Sequence, residues 1–299
     1  MLVEMLRQHP DVFITRPKEP HYLAFAEQRL SFGGPGDDLT INSRAITDSL
    51  AYEALYDTSG GCSARGDASV SSLYYPENSL SVIRRRFPDA RIVAVLREPA
   101  SRAFSAYSFL RVRGYESNPD FLRAVRQEPE RVRSNWHFMW HYVGMGRYAR
   151  QLGPFLEELG PQRVGVFYYE DLIRDPLAAA RHVFGFLQVD ASAEIAAKHI
   201  NKSGRPRSQS LQRSILWATR QRWLRESVRS TVPFNVREHI RGANLKDDEM
   251  PEDARSTLAD VFAEEVSELR SLLAACHPCA LSSAPEWVSG SAPSGDGRS

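Results

Sequence analysis

Between Pro88 and Tyr115 the chain reads PDARIVAVLREPASRAFSAYSFLRVRGY, and this stretch narrows the choice of fold more than any other. Arg91 to Leu96 is a short apolar, β-branched run of the kind that forms a buried parallel strand, and Arg97-Glu98-Pro99 interrupts it where a helix can begin. Pro99 suits a first helical turn, because its missing N–H would have no intrahelical partner there. Ala100 to Arg111 then sets Phe104, Tyr107 and Leu110 at helical spacing. The pattern predicts strand, turn and helix, the repeating unit of an α/β domain. It also puts Arg97 at the carboxyl end of the strand, a helix N-terminus beside it, and the hydroxyl of Ser105 about two turns into the helix. A planar guanidinium, free N–H groups and a hydroxyl suit a doubly charged phosphate. The same residues also allow an Arg97–Glu98 ion pair and a surface serine, since strand-turn-helix units occur in every α/β fold.

With 299 residues and 42% hydrophobic content, the chain has length enough for one full core. A net charge of +1 argues against a generic nucleic-acid binder, whose basic excess must neutralise many phosphates. The charge is unevenly placed: Arg84 to Arg113 holds eight arginines against two acids, whereas Asp247 to Arg270 holds nine acids against two arginines. An anionic ligand is drawn to the first region. Lysine occurs only at Lys18, Lys198, Lys202 and Lys246, and this preference for arginine suits a GC-rich, bacterial source. Cys62 stands alone, and Cys276-His277-Pro278-Cys279 is a single C-x-x-C after a helix, lacking the other two ligands of a structural zinc site. No apolar run approaches the ~20 residues that span a bilayer, and no signal peptide opens the chain, so the expectation is a soluble, cytoplasmic protein.

Taken in order, Leu2, Val3, Met5 and Leu6 lie on a helical pattern that stops at His9-Pro10. In Arg16-Pro17-Lys18-Glu19-Pro20-His21 two prolines flank a cation and an acid, which makes a stiff, extended backbone suited to side chains that must be held in place. A Lys-Glu dipeptide in a loop is otherwise an ordinary solvated pair. Leu39 to Asp57 is mostly helical and carries Tyr52, Leu55 and Tyr56; Gly66-Asp67-Ala68-Ser69 follows a short strand, and Pro76 to Arg86 is a helix. Trp136, His137, Trp140 and His141 combine i,i+4 histidines with two indoles and no third ligand nearby, which predicts core or a sugar-stacking surface rather than metal. Helix Gly146–Leu159, strand Arg163–Phe167 and a helix opened by Asp175-Pro176 come next, then the basic, turn-rich Lys202–Ser208 and helices over Gln209–Arg229 and Pro251–Leu273. One domain therefore spans 1–281, and the aperiodic Ser282–Ser299 is expected to be a disordered tail.

Four segments, HPDVFITRPKEPHYLAF (His9–Phe25), LREPASRAFSAY (Leu96–Tyr107), VFYYEDLIRDP (Val166–Pro176) and NKSGRPRS (Asn201–Ser208), occur in the order found in a known family. They resemble the sulfotransferases that use 3′-phosphoadenosine 5′-phosphosulfate (PAPS), most nearly the heparan sulfate and bacterial carbohydrate-type branch. The resemblance implies a three-layer, P-loop-NTPase-like α/β domain with a mainly parallel central sheet flanked by helices. It implies metal-free transfer of a sulfuryl group to a hydroxyl or amine of a carbohydrate or small-molecule acceptor. On it, Arg97 and Ser105 hold the 3′-phosphate, while Ser203, Gly204 and Arg205 belong to a loop that closes over the nucleotide. Glu19 takes the acceptor's proton with Lys18 and His21 beside it, and His21 is the alternative base because other branches use histidine. Related sequences often carry lysine or glutamate where Asp67 stands, which makes Asp67 an expected acceptor contact; Tyr168 or Glu170 is expected near the nucleotide. In the family a glycine-rich phosphosulfate loop directly precedes the segment matching Leu2–Phe13, and Gly33-Gly34-Pro35-Gly36 is only a turn cluster. The expectation is that the first strand and loop are encoded upstream of Met1; otherwise the chain is a non-catalytic nucleotide- or acceptor-binding remnant. A P-loop kinase would need Mg²⁺ and an acidic strand end, and Arg97 speaks against it.

Overall fold

A computed structural model of the chain describes residues 1–197, 249–275 and 284–290, and the backbone alone at 205–206 and 245–246. In the first part run α1 (Leu2–Leu6), β1 (Val12–Ile14), α2 (Tyr22–Phe25), α3 (Ile41–Arg44), α4 (Ser49–Ala54), β2 (Ala64–Gly66), α5 (Ser71–Tyr74) and α6 (Pro76–Arg86). Then come β3 (Ile92–Leu96), α7 (Pro99–Val112), α8 (Phe121–Arg126), α9 (Glu128–Arg133), α10 (Tyr148–Leu159), β4 (Val164–Tyr168), α11 (Tyr169–Arg174) and α12 (Pro176–Leu187). The later described elements are β5 (Arg205–Pro206), β6 (Leu245–Lys246), α13 (Glu252–Ala275) and α14 (Glu286–Ser289).

β3 and β4 form a parallel ladder with Ile92 opposite Val164 and Leu96 opposite Tyr168. Strand side chains alternate between faces, so Ala94, Leu96, Val164, Val166 and Tyr168 share one side, where α6, α10 and α13 bury Ile83, Phe155 and Leu269 against them. Val93 and Phe167 belong to the opposite side with α1 and α12, through Met5, Leu6, Val183 and Phe184. Helices, ladder and helices make the three layers expected of the α/β class. The helix starts follow their sequence signals: Asp175 accepts the Ala178 N–H, Glu98 accepts those of Ala100 and Ser101, and proline sits in the first turn of α6, α7 and α12.

The helices read as Pro76–Arg86 and from Pro99 onward are present within a residue or so of their expected bounds. Leu39–Asp57 contains two short helices, α3 and α4. Among the described residues the parallel strands fall into two ladders, β1–β2 and β3–β4, with a separate antiparallel β5–β6 pair. The β1–β2 ladder is three residues long and shares the α12-side core through Val12, Ile14 and Ala64. The expected tail needs correction at 284–290: α14 forms, Val288 is buried, and Arg270 Nε donates to the Val288 carbonyl at 2.6 Å. Composition alone pointed to disorder there, but Trp287 and Val288 are enough apolar surface to dock on the core behind β4. No helix among the described residues is long and apolar enough to cross a membrane.

Two long-range contacts fix the end of β3. Tyr148, at the start of α10, donates its hydroxyl to the Arg97 carbonyl at 2.9 Å. The next residue, Ala149, donates its N–H to the buried carboxylate of Glu265 on α13 at 2.6 Å, so a side chain far along the sequence caps α10.

Candidate active site

The loops that leave the carboxyl ends of β1 and β2 are stitched side by side. The Ala68 N–H donates to the Lys18 carbonyl at 2.8 Å, and the His21 N–H donates to Ser69 Oγ at 2.9 Å. His21 Nδ1 lies 2.8 Å from Ser71 Oγ. Parallel strands are the usual frame for a site at their carboxyl ends. His21 sits at φ 61°, a left-handed conformation that a non-glycine residue adopts at a cost of order 1–3 kcal/mol and holds only where its surroundings enforce it. The two serine hydroxyls enforce it here.

Lys18, Glu19 and His21, which the sequence grouped, are therefore together in space, with Asp67 added to them. Lys18 Nζ is 2.6 Å from Glu19 Oε1, with Lys18 mostly exposed and Glu19 less so. Burial lowers the pKa of His21, against the opposing pull of the Glu19 and Asp67 carboxylates. Asp67 accepts the Ser69 N–H on one oxygen and the Tyr52 hydroxyl on the other, each at 2.9 Å. Tyr52 in turn stacks on Tyr22, with ring centroids 4.2 Å apart, and meets the Tyr56 hydroxyl at 2.9 Å.

Arg97 and Ser105 belong to the β3–α7 unit. The Arg97 guanidinium lies over the Tyr169 ring, 4.8 Å from its centroid, and the next peptide N–H, that of Glu98, donates to Glu170 Oε1 at 3.3 Å. The end of β3 is thus tied to the end of β4. Glu98 is not an ion-pair partner of Arg97; its carboxylate caps α7. Ser105 is half-buried in the second turn of α7, and the β5 backbone at Arg205–Pro206 lies against the same helix. Ser203 and Gly204 lie outside the described residues, as do Cys276 and Cys279. No hydrogen bond or ion pair among the described residues joins the Glu19 group to Arg97 or Ser105. On the α12 side of the β3–β4 ends, a cavity of about 150 Å³ is lined by Val95, Phe167, Asp171, Arg174 and His182.

Sequence reasoning missed Tyr169, Tyr148 and Ser71. Tyr169 stood inside a quoted segment, but nothing in the spacing says which of two adjacent tyrosines meets an arginine 72 residues away, since that choice belongs to the register of β3 against β4.

The aromatic cluster at Trp136–His141 is core. Asp37, only 1% exposed, accepts from Gly34 N at 2.8 Å, His137 N at 3.2 Å, His137 Nδ1 at 2.8 Å and Trp140 Nε1 at 3.1 Å. Burial alone would raise the Asp37 pKa; the hydrogen bonds and charge of His137, with the Trp140 N–H, outweigh it and hold the carboxyl below its ordinary range. His141 Nδ1 meets the Tyr74 hydroxyl at 2.7 Å, so each histidine at metal-ligand spacing has its Nδ1 committed to a protein partner. Beside them Arg131 pairs with Glu116 at 2.7 Å, enclosed by Trp136, Trp140 and Tyr142.

The sequence profile of the sulfotransferase family matches residues 1–193. No curated protein matches the chain. Among solved structures, the crystal structure of a sulfotransferase from Alicyclobacillus acidocaldarius is similar, with a TM-score of 0.70 and 29% identity over 91% of this chain and 90% of that one.

Proposed function

The chain belongs to the sulfotransferase family, and from that premise we propose that it moves a sulfuryl group from PAPS to a hydroxyl or amine of a carbohydrate or small-molecule acceptor. The observation that carries this reading is the stitching of the β1 and β2 loops, which holds the Lys18–Glu19 pair and His21 against the Asp67–Ser71 segment. Support for a 3′-phosphate site at the β3–α7 unit comes from Arg97, whose carbonyl is tied by Tyr148 and whose guanidinium is backed by the Tyr169 ring. PAPS brings the activated sulfur–oxygen bond; the chain supplies position and proton traffic. Glu19 accepts the proton of the acceptor hydroxyl, and Lys18, 2.6 Å from Glu19 Oε1, orients that carboxylate. Burial holds His21 neutral, so it orients the acceptor as a hydrogen-bond partner and not as a cation. Arg97 fixes the nucleotide end, so that the reacting atoms meet in line.

The test is thermal stabilisation by adenosine 3′,5′-bisphosphate, compared with ATP and with ATP plus Mg²⁺, followed by transfer assays with PAPS. The bisphosphate should stabilise and the ATP arms should not. Arg97→Ala should weaken its binding by about 10- to 100-fold, the loss of one charge-assisted contact. Equal affinity in a folded Arg97→Ala variant would remove the assignment. Nucleotide binding without transfer to any acceptor would favour the binding-remnant alternative.

A further inference from the structure

We infer that Asp67 selects the acceptor: the cleft takes a hydroxyl compound that is uncharged or carries an amine, and rejects one that carries a carboxylate or sulfate. The inference rests on the function proposed above and deepens it. Glu19 has Lys18 at 2.6 Å, so that pair presents little net charge to an acceptor. His21 is neutral because burial lowers its pKa. Asp67 receives only neutral donors, the Ser69 N–H and the Tyr52 O–H, and no cation among the described residues lies within ion-pair distance of it. Its negative charge is the unbalanced one.

Asp67 is also rigid and incompletely used. Tyr52 is buried, stacked on Tyr22 and bonded to Tyr56, so the donor that aims Asp67 has little freedom. Burial pushes the Tyr52 hydroxyl well above its ordinary pKa and that of Tyr56 up to about 12, which keeps both as neutral donors. A carboxylate has about four acceptor positions, and the protein fills two of them here. The remaining lone pairs suit a sugar-like hydroxyl or an ammonium group, and they repel a second anion.

The experiment titrates the full chain, saturated with adenosine 3′,5′-bisphosphate, with three ligands of one scaffold: 4-nitrophenyl β-glucosaminide, β-glucoside and β-glucuronide. Calorimetry should place the amine first and the carboxylate last, with at least about a tenfold gap between them, as expected when one carboxylate attracts the ammonium group and repels the second anion. Asp67→Asn keeps the shape and removes the charge, and should shrink that gap to less than about threefold while leaving nucleotide affinity unchanged. Tyr52→Phe keeps the stack and frees Asp67 to move, and should give an intermediate gap. Asp67 has no selective role if the glucuronide binds as well as the glucosaminide, if the gap survives Asp67→Asn, or if none of the three binds. Nucleotide binding is read in the same protein: its absence removes the proposed function and this inference together, whereas normal nucleotide binding with the wrong acceptor order removes the inference alone.

Discussion

The loop cluster around His21 and the buried cluster around His137 use the same parts, a histidine, a carboxylate and aromatic rings, to opposite ends. In the interior, Asp37 accepts four N–H groups and is sealed from water, so its charge is fully occupied in joining the Gly34 turn to the Trp136–His141 segment. In the loop cluster, Glu19 and Asp67 each hold fewer partners, stay partly exposed, and leave acceptor positions open. Residue type does not separate a site from a structural network; the unused hydrogen-bonding capacity does. The inner cluster should therefore govern stability and the outer one turnover, with little crossover.

The largest expected effect falls on the outer side. Glu19→Gln keeps the shape but cannot take the proton, so transfer should drop by about 10² to 10⁴ while the unfolding midpoint hardly moves. Initial rates beside a thermal melt decide it, and a destabilised but active variant would erase the distinction. Next, Asp37→Ala strands several buried donors and should cost about 3 kcal/mol or more, seen as a lower denaturant midpoint. Residual folded enzyme should retain its acceptor KM.

Acid probes the inner side differently. Burial lowers the pKa of His141 to about 4 from 6.5, so its contribution is complete above about pH 6.5 and is lost as the pH falls through about 4. That is worth about 3 kcal/mol over the window, and His141→Gln should flatten the decline in unfolding free energies taken between about pH 7 and 4. The smallest effect sharpens the nucleotide end: Tyr169→Leu removes the ring beneath Arg97 and should weaken adenosine 3′,5′-bisphosphate by about two- to fivefold, with Tyr169→Phe close to wild type. Equal loss in both variants would mean that the hydroxyl, not the ring, matters there.

Local grammar made much of this legible. Pro99 and Pro176 mark helix starts, the β-branched run ending at Leu96 is a strand, and Lys18, Glu19 and His21 are neighbours in the chain before they are neighbours in space. What stayed hidden depends on pairing across the fold. Asp37 reaches His137 over 100 residues, and Asp67 reaches Tyr52 only because the β1–β2 ladder and α4 converge, so no periodicity encodes either contact. The docking of α14 was hidden for a related reason: two apolar residues in a Gly- and Ser-rich stretch count for little in composition and for much once a core surface lies within reach.

The bond from Ala149 to Glu265 has a consequence for synthesis. The strand that ends at Arg97 leaves the ribosome early, yet the carboxylate that caps α10, the helix whose Tyr148 grips the Arg97 carbonyl, arrives only when α13 has been made. At typical elongation rates the wait is on the order of ten to thirty seconds, during which the apolar stripe of α10 and the β3–β4 face have no α13 to cover them. The half of the molecule that reads most clearly in the sequence is thus the half that must wait longest to close, and a nascent chain stalled within that interval is a natural client for a chaperone.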